Sequence, residues 1–277
     1  MESKMVKNQH VVPKSYLKLF ENSNKRVFTY NWKGGLSCEK RIDDVCCHNY
    51  TYELSNGNID NLLENELSKL ESQFMPAIHN ILKHVNDGNL NRSCIDSEIC
   101  YKYIMLQYMR TDSGRILFGN ALSNLTSLNH HISLDEINQN KDKEKIFNSI
   151  FRKNDVLTKA LDLLYQNENP LIKVGVSEDR KFLTSDNPVF TLYFPNNGPS
   201  SKLKFILPVS PHVCLYFIGL DFNREYQCEQ ECFPYKITQN LAIQYNQALI
   251  NVSNYWIVSQ DKFDVIDYNL IYNRRTK

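Results

Sequence analysis

The chain has 277 residues, of which 42% are hydrophobic, and its formal net charge is +1 at pH 7. This length suits one large domain with a sizeable core. The balanced charge excludes an overall positive field of the kind that would require a nucleic-acid partner, but it does not exclude a local basic groove. No run of eighteen apolar residues occurs and residues 1–9 lack an apolar leader segment, so we expect no membrane span, no signal peptide and a cytoplasmic location with mostly reduced cysteines.

The first predicted element is a short helix that follows an extended N-terminal segment. Residues 9–20 read QHVVPKSYLKLF, in which two valines favour extended backbone and Pro13 suits the first turn of a helix. Three large side chains then follow at helical spacing and are expected to be buried, namely Tyr16, Leu17 and Phe20. This anchor holds His10 in place, either as a general acid/base or metal ligand, or as a hydrogen-bonding histidine of an N-terminal arm.

Two short strands are predicted next, at residues 26–32 and 48–54, and together they form a small sheet beside the first helix. Several segments carry residue types that bind zinc: Cys46-Cys47-His48, His130-His131, and the Cys228 and Cys232 pair. No two cysteines are separated by two residues, as zinc sites usually require. We therefore do not expect structural zinc.

The clearest predicted element is a long amphipathic helix over residues 59–85. Its apolar residues recur at steps of three and four along one narrow stripe, which consists of Leu63, Leu67, Leu70, Phe74, Ile78, Ile81 and Val85. Glu64 and Glu71 are seven residues apart, so both flank this stripe. They are either solvated charges beside the buried seam or carboxylates that point into a shared polar pocket.

A second helix is predicted from about residue 93 or 95 to residue 112, antiparallel to the first. Its buried stripe consists of Ile95, Ile99, Tyr103 and Leu106. The same spacing places Arg110 on the apolar face, with Gln107 next to it. An unpaired buried charge is strongly unfavourable, so a carboxylate partner is expected, and Glu64 and Glu71 are the candidates. Such a pair either fixes the register of the two helices or forms part of a site.

Further helices are predicted over residues 115–131 and 133–165. Within them, the alternating charges of residues 141–145 indicate a solvated loop or helix end. After Pro170 the hydrophobic period changes to two, which predicts strands at 171–176, 181–184, 189–194, 203–207 and 213–218. A helix at 236–252 and a strand at 255–259 complete the chain.

The predicted fold class is α+β, because a run of strands follows a run of helices. We expect a single domain over residues 1–277, with N-terminal short strands and a helix, a central helical bundle over about 59–166, and a C-terminal antiparallel sheet with one long helix over about 170–270. The segment Thr184–Pro188 lies between two of the predicted strands. It is either a tight turn capped by its own side chains, or it presents Asp186 to a pocket at a strand end.

The chain contains no glycine-rich phosphate loop, no Gly-x-Ser-x-Gly elbow and no His-Glu-x-x-His. This excludes the familiar nucleotide hydrolases, serine hydrolases and zincins, but not enzymes in general.

An ordered set of motifs spans the chain from His10 to about Ser259. It comprises Gln9-His10-Val11-Val12-Pro13, Tyr16-Leu17, Phe20, Asn49-Tyr50, Glu64, Leu67, Glu71, Gln107, Arg110-Thr111, Thr184-Ser185-Asp186-Asn187-Pro188 and Pro208. In this set the chain resembles domain of unknown function 4238, a widely distributed and largely bacterial family. The resemblance implies that the polar positions belong together, but it supplies no reaction.

The polar positions that the resemblance groups are candidate catalytic residues, namely His10, Glu64, Glu71, Gln107, Arg110 and Asp186. Such a cluster suits metal-assisted or general acid–base hydrolysis. The carboxylates of Glu64, Glu71 and Asp186 are expected to hold Mg²⁺ or Mn²⁺. Arg110 stabilises developing negative charge and His10 shuttles a proton.

The leading functional hypothesis is a hydrolytic effector, a nuclease that acts on RNA or DNA in a bacterial defence or toxin context. The His10–Pro13 segment is similar, as an analogy only, to the histidine–proline segment of HNH-type nucleases, although the second histidine motif is absent. The alternative is a ligand-sensing or protein-interaction module in which the buried Arg110–carboxylate cluster is structural. A structural subunit of a larger complex is the third hypothesis.

Overall fold

The computed structural model describes residues 7–54, 59–124, 134–153, 155–168, 170–194, 202–219 and 233–263. Within these ranges the helices are α1 (Lys14–Leu17), α2 (Leu62–Asn86), α3 (Ser97–Met109), α4 (Asp112–Asn124), α5 (Leu134–Gln139), α6 (Lys141–Phe151), α7 (Val156–Glu168) and α8 (Gln239–Val252). The strands are β1 (Asn8–His10), β2 (Val27–Asn31), β3 (Leu36–Lys40), β4 (Cys47–Asn49), β5 (Lys173–Ser177), β6 (Thr184–Ser185), β7 (Phe190–Phe194), β8 (Lys202–Pro208), β9 (Val213–Gly219), β10 (Tyr235–Ile237) and β11 (Trp256–Ser259).

The strands of the described ranges form three sheets. Strands β1 and β4 pair antiparallel and hold the N-terminal segment against the segment around His48. A five-stranded sheet has the order β10-β5-β9-β8-β7, and a four-stranded sheet has the order β3-β2-β11-β6. The predicted α+β class is confirmed, with helices in the middle of the chain and most strands after residue 170.

The pairing of the strands differs in part from the expectation. Strand β10 pairs parallel with β5 at one edge of the otherwise antiparallel five-stranded sheet. Strands β6 and β11 pair with each other, and β11 also pairs with β2, so neither joins that sheet. Alternating hydrophobicity predicts that a segment is a strand, but it does not predict which strand pairs with it, because pairing with different strands can bury the same face equally well.

Two predicted elements are shorter than expected. The strand predicted over residues 48–54 is extended only at β4, because Tyr50 adopts a left-handed backbone conformation with φ 56° that ends it. It pairs with β1, while β2 pairs with β3. The last helix begins at Gln239 instead of residue 236, since the Thr238 side chain caps it by accepting a hydrogen bond from the backbone of Leu241.

Helices α2 and α3 pack antiparallel, as predicted. Tyr103 of α3 donates a hydrogen bond to Met75 of α2, and Arg110 beyond the end of α3 contacts Glu71, so higher residue numbers on α3 meet lower numbers on α2. The apolar stripe of α2 is buried from Leu63 to Ile81. This packing places the first half of α2 and the end of α3 beside the N-terminal segment.

One apolar cluster joins the helical half of the chain to the sheet half. It contains side chains of α1, α2 and α3 together with side chains of β5, β8 and β9. Tyr16 extends the connection, because its hydroxyl donates to the Pro208 carbonyl oxygen at 2.6 Å and lies 2.8 Å from the Thr184 hydroxyl. These contacts support the proposal that the chain forms a single domain.

Helix α4 begins directly after α3 in a close backbone contact. A Cβ atom on Gly114 would lie 1.8 Å from the carbonyl oxygen of Tyr108 and 2.9 Å from its carbonyl carbon. Only glycine fits there without displacing backbone. Next to it, the Ser113 hydroxyl accepts a hydrogen bond of 2.7 Å from the Asn254 amide, which ties α4 to the sheet half.

None of the described helices combines the length and apolar character that a bilayer crossing requires. The sequence features His130-His131, Cys228 and Cys232 lie outside the described residues. The described cysteines are free thiols at positions 38, 46, 47, 94, 100 and 214.

Candidate functional site

Arg110 is the centre of a buried polar cluster, as the helical spacing of α3 predicted. Its guanidinium pairs with the carboxylate of Glu71, donates to the carbonyl oxygen of His10 at 2.6 Å, and donates to the Tyr52 hydroxyl at 3.3 Å. The expected carboxylate partner of Arg110 is therefore confirmed. We call Arg110, Glu71, Tyr52 and His10 the Arg110 cluster.

Glu64 and Gln107 lie beside this cluster. Within the described part of the chain, Glu64 Oε2 and both amide atoms of Gln107 are buried without a hydrogen-bond partner. Burial raises the pKa of Glu64, although the charge of Arg110 acts in the opposite direction. A buried polar group without a hydrogen bond costs about 1–3 kcal/mol. Glu64 and Gln107 therefore have fewer of their hydrogen bonds satisfied than Arg110 and Glu71.

The His10 side chain is buried, and its Nε2 lies 3.3 Å from the carbonyl oxygen of Ile42. Burial lowers the pKa of His10 to about 4, and the positive charges of Lys14 and Arg110 act in the same direction. The ring is therefore neutral at neutral pH. A neutral imidazole is better suited to hold the N-terminal segment in place than to donate a proton to a ligand.

Asp186 follows β6 and is buried at the start of β11. Its carboxylate accepts hydrogen bonds of 3.0 to 3.2 Å from the backbone N–H groups of residues 254–256. Burial raises its pKa to about 6, and these backbone bonds oppose the rise. The Ser185 hydroxyl caps the same turn by bonding to the backbone of Asn187. Asp186 therefore fixes the position of Tyr255.

The structure gives the three predicted metal ligands two different surroundings. Glu64 and Glu71 lie beside Arg110, whereas Asp186 lies at the start of β11. The Glu71 charge is paired with Arg110, and both Asp186 oxygens accept backbone hydrogen bonds. No group of three or more His, Cys, Asp or Glu side chains in the described ranges is placed to hold a metal ion. The three residues thus do not form one ligand set for Mg²⁺ or Mn²⁺.

Residues 47–54 connect the Arg110 cluster to a second polar region. The Tyr52 ring contacts two guanidinium groups, with its centroid 5.8 Å from Arg110 Cζ and 5.1 Å from Arg115 Cζ. The carbonyl oxygen of Thr51 accepts a hydrogen bond of 2.6 Å from Arg115. Buried groups therefore hold this segment, which we call the 47–54 wall.

A cleft of about 450 Å³ lies beside the 47–54 wall. This volume is within the range of about 300–1,000 Å³ that small-molecule sites occupy. The cleft is lined by the wall, by the start of α4, by α5 and α6, and by the residue before β11. The ionisable and aromatic lining residues that matter most for chemistry are His48, Asp112, Lys141, Glu144, Lys145 and Tyr255.

His48 and Asp112 form an ion pair at one side of the cleft. His48 Nε2 lies 3.4 Å from Asp112 Oδ2, and its ring packs edge-on against Tyr255 with centroids 5.0 Å apart. The contact is electrostatic, because Nε2 makes no hydrogen bond of good geometry to any described residue. Burial opposes a proton on His48, but Asp112 outweighs burial and raises the His48 pKa.

Arg115 lies behind the cleft and joins two of its carboxylates. The buried guanidinium Nη2 is 2.5 Å from Asp112 Oδ1 and 3.4 Å from Glu144 Oε2. Burial would raise the pKa of Asp112, but His48 and Arg115 outweigh it and hold the value at about 2. Burial raises the pKa of Glu144 to about 7, although the positive charge of Arg115 acts in the opposite direction. At neutral pH Asp112 is therefore ionised, whereas Glu144 is near half-protonation.

The cleft thus combines an imidazole whose pKa is raised by Asp112 with a carboxyl group whose pKa is raised by burial to about 7. The side chains of His48 and Glu144 are 33% and 14% exposed, so both are within reach of a ligand. Neighbouring carboxyl groups with widely separated pKa values are typical of general acid–base catalysis. Lys141 and Lys145 lie one turn apart on α6, on either side of Glu144 in sequence, and offer positive charge to an anionic ligand.

Sequence reasoning missed this cleft. The sequence marks His48 only as part of a weak zinc motif, and Glu144 belongs to the alternating-charge run that it predicts to be a solvated loop or helix end. The run forms the N-terminal end of α6, which was one of the two alternatives, but Glu144 within it faces Arg115. One usable signal was present, because Asp112 and Arg115 are three residues apart at the start of a helix and so share a face.

A comparison with family models places the chain. The model described as a protein of unknown function, DUF4238, matches residues 8–263 of the 277 residues. A search of curated proteins and a search of solved structures each returned no match. The matched range includes the Arg110 cluster, the 47–54 wall and every named residue of the cleft. The resemblance noted in the ordered motifs is thereby confirmed, and the chain belongs to the DUF4238 family.

Proposed function

We propose that the cleft is the active site of a hydrolase that cleaves phosphodiester bonds in nucleic acid. The observation that supports this is that His48, Asp112 and Glu144 line one cleft, with Arg115 behind them. Asp112 favours the protonated imidazole, as the aspartate does in other His–Asp pairs. Lys141 and Lys145 supply charge for a phosphate, which favours a nucleic-acid partner.

Under this proposal the residues singled out from the sequence act without touching the substrate. His10, Glu71 and Arg110 hold the 47–54 wall through Tyr52, and Glu64 and Gln107 lie beside them. Asp186 holds Tyr255 at the cleft. They are positioning residues, so their replacement should reduce activity together with stability.

The test uses purified full-length protein and labelled single-stranded RNA and DNA, with Mg²⁺, with Mn²⁺ and with a chelator. We expect cleavage by the wild type and a loss of about 100-fold or more in His48→Ala and Glu144→Gln. The matched control is His79→Ala, since His79 is exposed on α2. Absence of cleavage by the wild type, or equal cleavage by His48→Ala, contradicts the proposal.

We also propose a bacterial cytoplasmic setting in which such cleavage serves defence or acts as a toxin. The free thiols of the described cysteines are compatible with a reducing compartment. Expression in a bacterial host should slow growth for the wild type and not for Glu144→Gln. Equal growth of the two strains at equal protein level contradicts this setting.

The second candidate function is a ligand-sensing or protein-interaction module. The observation in its favour is that Arg110, Glu71 and Asp186 use their charges on internal partners, as in a purely structural core. In that case the cleft binds an anionic ligand without turnover. Nucleotides should then raise the melting temperature of both the wild type and Glu144→Gln, and neither protein should cleave nucleic acid.

A further inference from the structure

The cleft holds proton-transfer groups close to positive charge. Glu144 lies between Lys141 and Lys145 in sequence, and all three line the cleft with His48. Lys141 is three residues from Glu144 and four from Lys145, so it shares a face of α6 with each of them. A phosphate bound by the lysines is therefore placed beside a base, with an imidazole in the same cleft.

Among the described residues that line the cleft, His48 and Glu144 supply an acid and a base, and neither Asp112 nor Tyr255 beside them is an activated nucleophile. The Asp112 carboxylate is paired with Arg115, and the Tyr255 ring packs against His48. Burial raises the pKa of Tyr255, so its hydroxyl stays protonated. Such a cleft is best equipped for a substrate that carries its own nucleophile next to the phosphate. RNA does so through the 2′-hydroxyl, which DNA lacks.

We propose that the cleft selects RNA and cleaves it through attack of the substrate's own 2′-hydroxyl, with Glu144 as the base and His48 as the acid. This inference rests on the proposed function and adds its substrate class. The Glu144 carboxylate takes the 2′-hydroxyl proton while the bond from the 2′-oxygen to phosphorus forms. The bond from phosphorus to the 5′-oxygen breaks, and the leaving 5′-oxygen takes a proton from the His48 imidazolium.

The products of this step are a 2′,3′-cyclic phosphate and a 5′-hydroxyl. Water then opens the cyclic phosphate with the two roles reversed. Neutral His48 takes a proton from the water, and protonated Glu144 returns a proton to the 2′-oxygen, so a 3′-phosphate remains and both side chains recover their starting states. The two steps together amount to hydrolysis. Because His48 Nε2 is buried beside Asp112, Nδ1 is the ring nitrogen that exchanges the proton.

The geometry also assigns Arg115 as a positioning residue. It is fully buried and touches Asp112 and Glu144 but lies behind both. Replacing it with lysine keeps the charge and loses the fork that joins the two carboxylates. Arg115→Lys should therefore shift the pH profile of cleavage, whereas a purely structural role would lower stability and leave that profile unchanged.

The deciding experiment uses the full-length protein and a DNA oligonucleotide that contains one ribonucleotide. We expect a single cut on the 3′ side of that ribonucleotide, no cut in the all-deoxy strand, and no cut when the ribose carries a 2′-O-methyl group. Mass spectrometry at early times should find a 2′,3′-cyclic phosphate. Glu144→Gln and His48→Asn should each lose about 100-fold or more, and the exposed carboxylate control Asp135→Asn should match the wild type.

The outcomes separate this inference from the function on which it rests. Cutting of the all-deoxy strand as fast as RNA, or products that carry a 5′-phosphate, overturns the RNA mechanism while nucleic-acid cleavage stands. Failure to cut any strand overturns both.

Discussion

Two fully buried arginines stand out at the scale of single residues. Arg110 and Arg115 each pair with a carboxylate and donate to a backbone carbonyl oxygen of the N-terminal region. Such pairs gain little over apolar packing, but removal of one partner leaves a buried charge without compensation. The two arginines share the Tyr52 ring, so the stability of one polar region is coupled to the other.

Replacement of Arg110 by alanine should destabilise the protein by about 3–5 kcal/mol, because Glu71 would lose its partner in a buried site. Arg110→Lys should recover only part of the loss, since a single ammonium cannot bond to Glu71, His10 and Tyr52 together. Urea unfolding measures both. The control is Arg41→Ala, whose side chain is 67% exposed and whose loss should stay within about 0.5 kcal/mol. Equal losses at the two arginines would refute a structural role for Arg110.

The pKa of Glu144 predicts how stability depends on pH. Its folded value of about 7 lies above its ordinary 4.5, so its contribution is fully present below pH 4.5 and is lost as the pH rises through 7. The charged groups that act on it are Arg115, Asp112, Lys141 and His48. In Glu144→Gln the fall in unfolding free energy over this window should be smaller than in the wild type. Parallel curves for the two proteins would show that the Glu144 pKa is unperturbed.

The sequence predicted part of the polar network at this scale. Helical spacing alone placed Arg110 on a buried face and gave Glu64 and Glu71 as its candidate partners, because Arg110 continues the period of 3.6 of α3 and both glutamates lie on α2. It did not predict that Asp186 meets the backbone before β11, or that Glu144 meets Arg115. Those contacts join segments far apart in sequence, and the local hydrophobic period of a segment carries no information about them.

At the scale of secondary-structure elements, the junction of α3 and α4 is the tightest point near the site. Arg110 ends one helix, Asp112 begins the next, and Arg115 lies on the first turn of α4. Both buried arginines thus depend on the backbone path through Gly114. A small shift there moves the two polar regions relative to each other.

Gly114→Ala should therefore destabilise the protein by about 1–3 kcal/mol or more, because the added Cβ would collide with the Tyr108 backbone and not with a flexible side chain. The matched control is Gly34→Ala in the turn after β2, where the nearest heavy atom lies at 3.6 Å. Thermal and urea unfolding should show a clear loss for the first and little change for the second. A Gly114→Ala protein as stable as the control would mean that the junction relaxes freely.

The existence of elements was predicted better than their pairing. The long stripe of α2 and the strand texture after residue 170 are local patterns, and both appear in the structure. The parallel pairing of β10 with β5 and the transfer of β6 and β11 to a second sheet depend on chain topology. Period-two alternation is satisfied by each of these arrangements, so it does not choose among them.

At the scale of the whole molecule, the apolar cluster shared by the helices and the sheets predicts one cooperative unfolding transition. Both tryptophans report on the four-stranded sheet, since Trp32 follows β2 and Trp256 lies in β11. Far-ultraviolet circular dichroism reports mainly on the helices. In urea, tryptophan fluorescence and circular dichroism should change with the same midpoint. Two separate midpoints would show that the helical and sheet halves unfold independently. In Tyr16→Phe the two midpoints should still coincide.

Helix α6 carries cleft-lining residues in its first turns and buried phenylalanines in its later turns. Phe147 and Phe151 are buried, while Lys141, Glu144 and Lys145 line the cleft. Under the proposed function, ligand binding and folding therefore depend on separate positions of one short helix. If the cleft binds an anionic substrate as proposed, exchange of the two cleft-lining lysines changes its ligand while the phenylalanines keep the fold, and a library restricted to positions 141 and 145 explores that change.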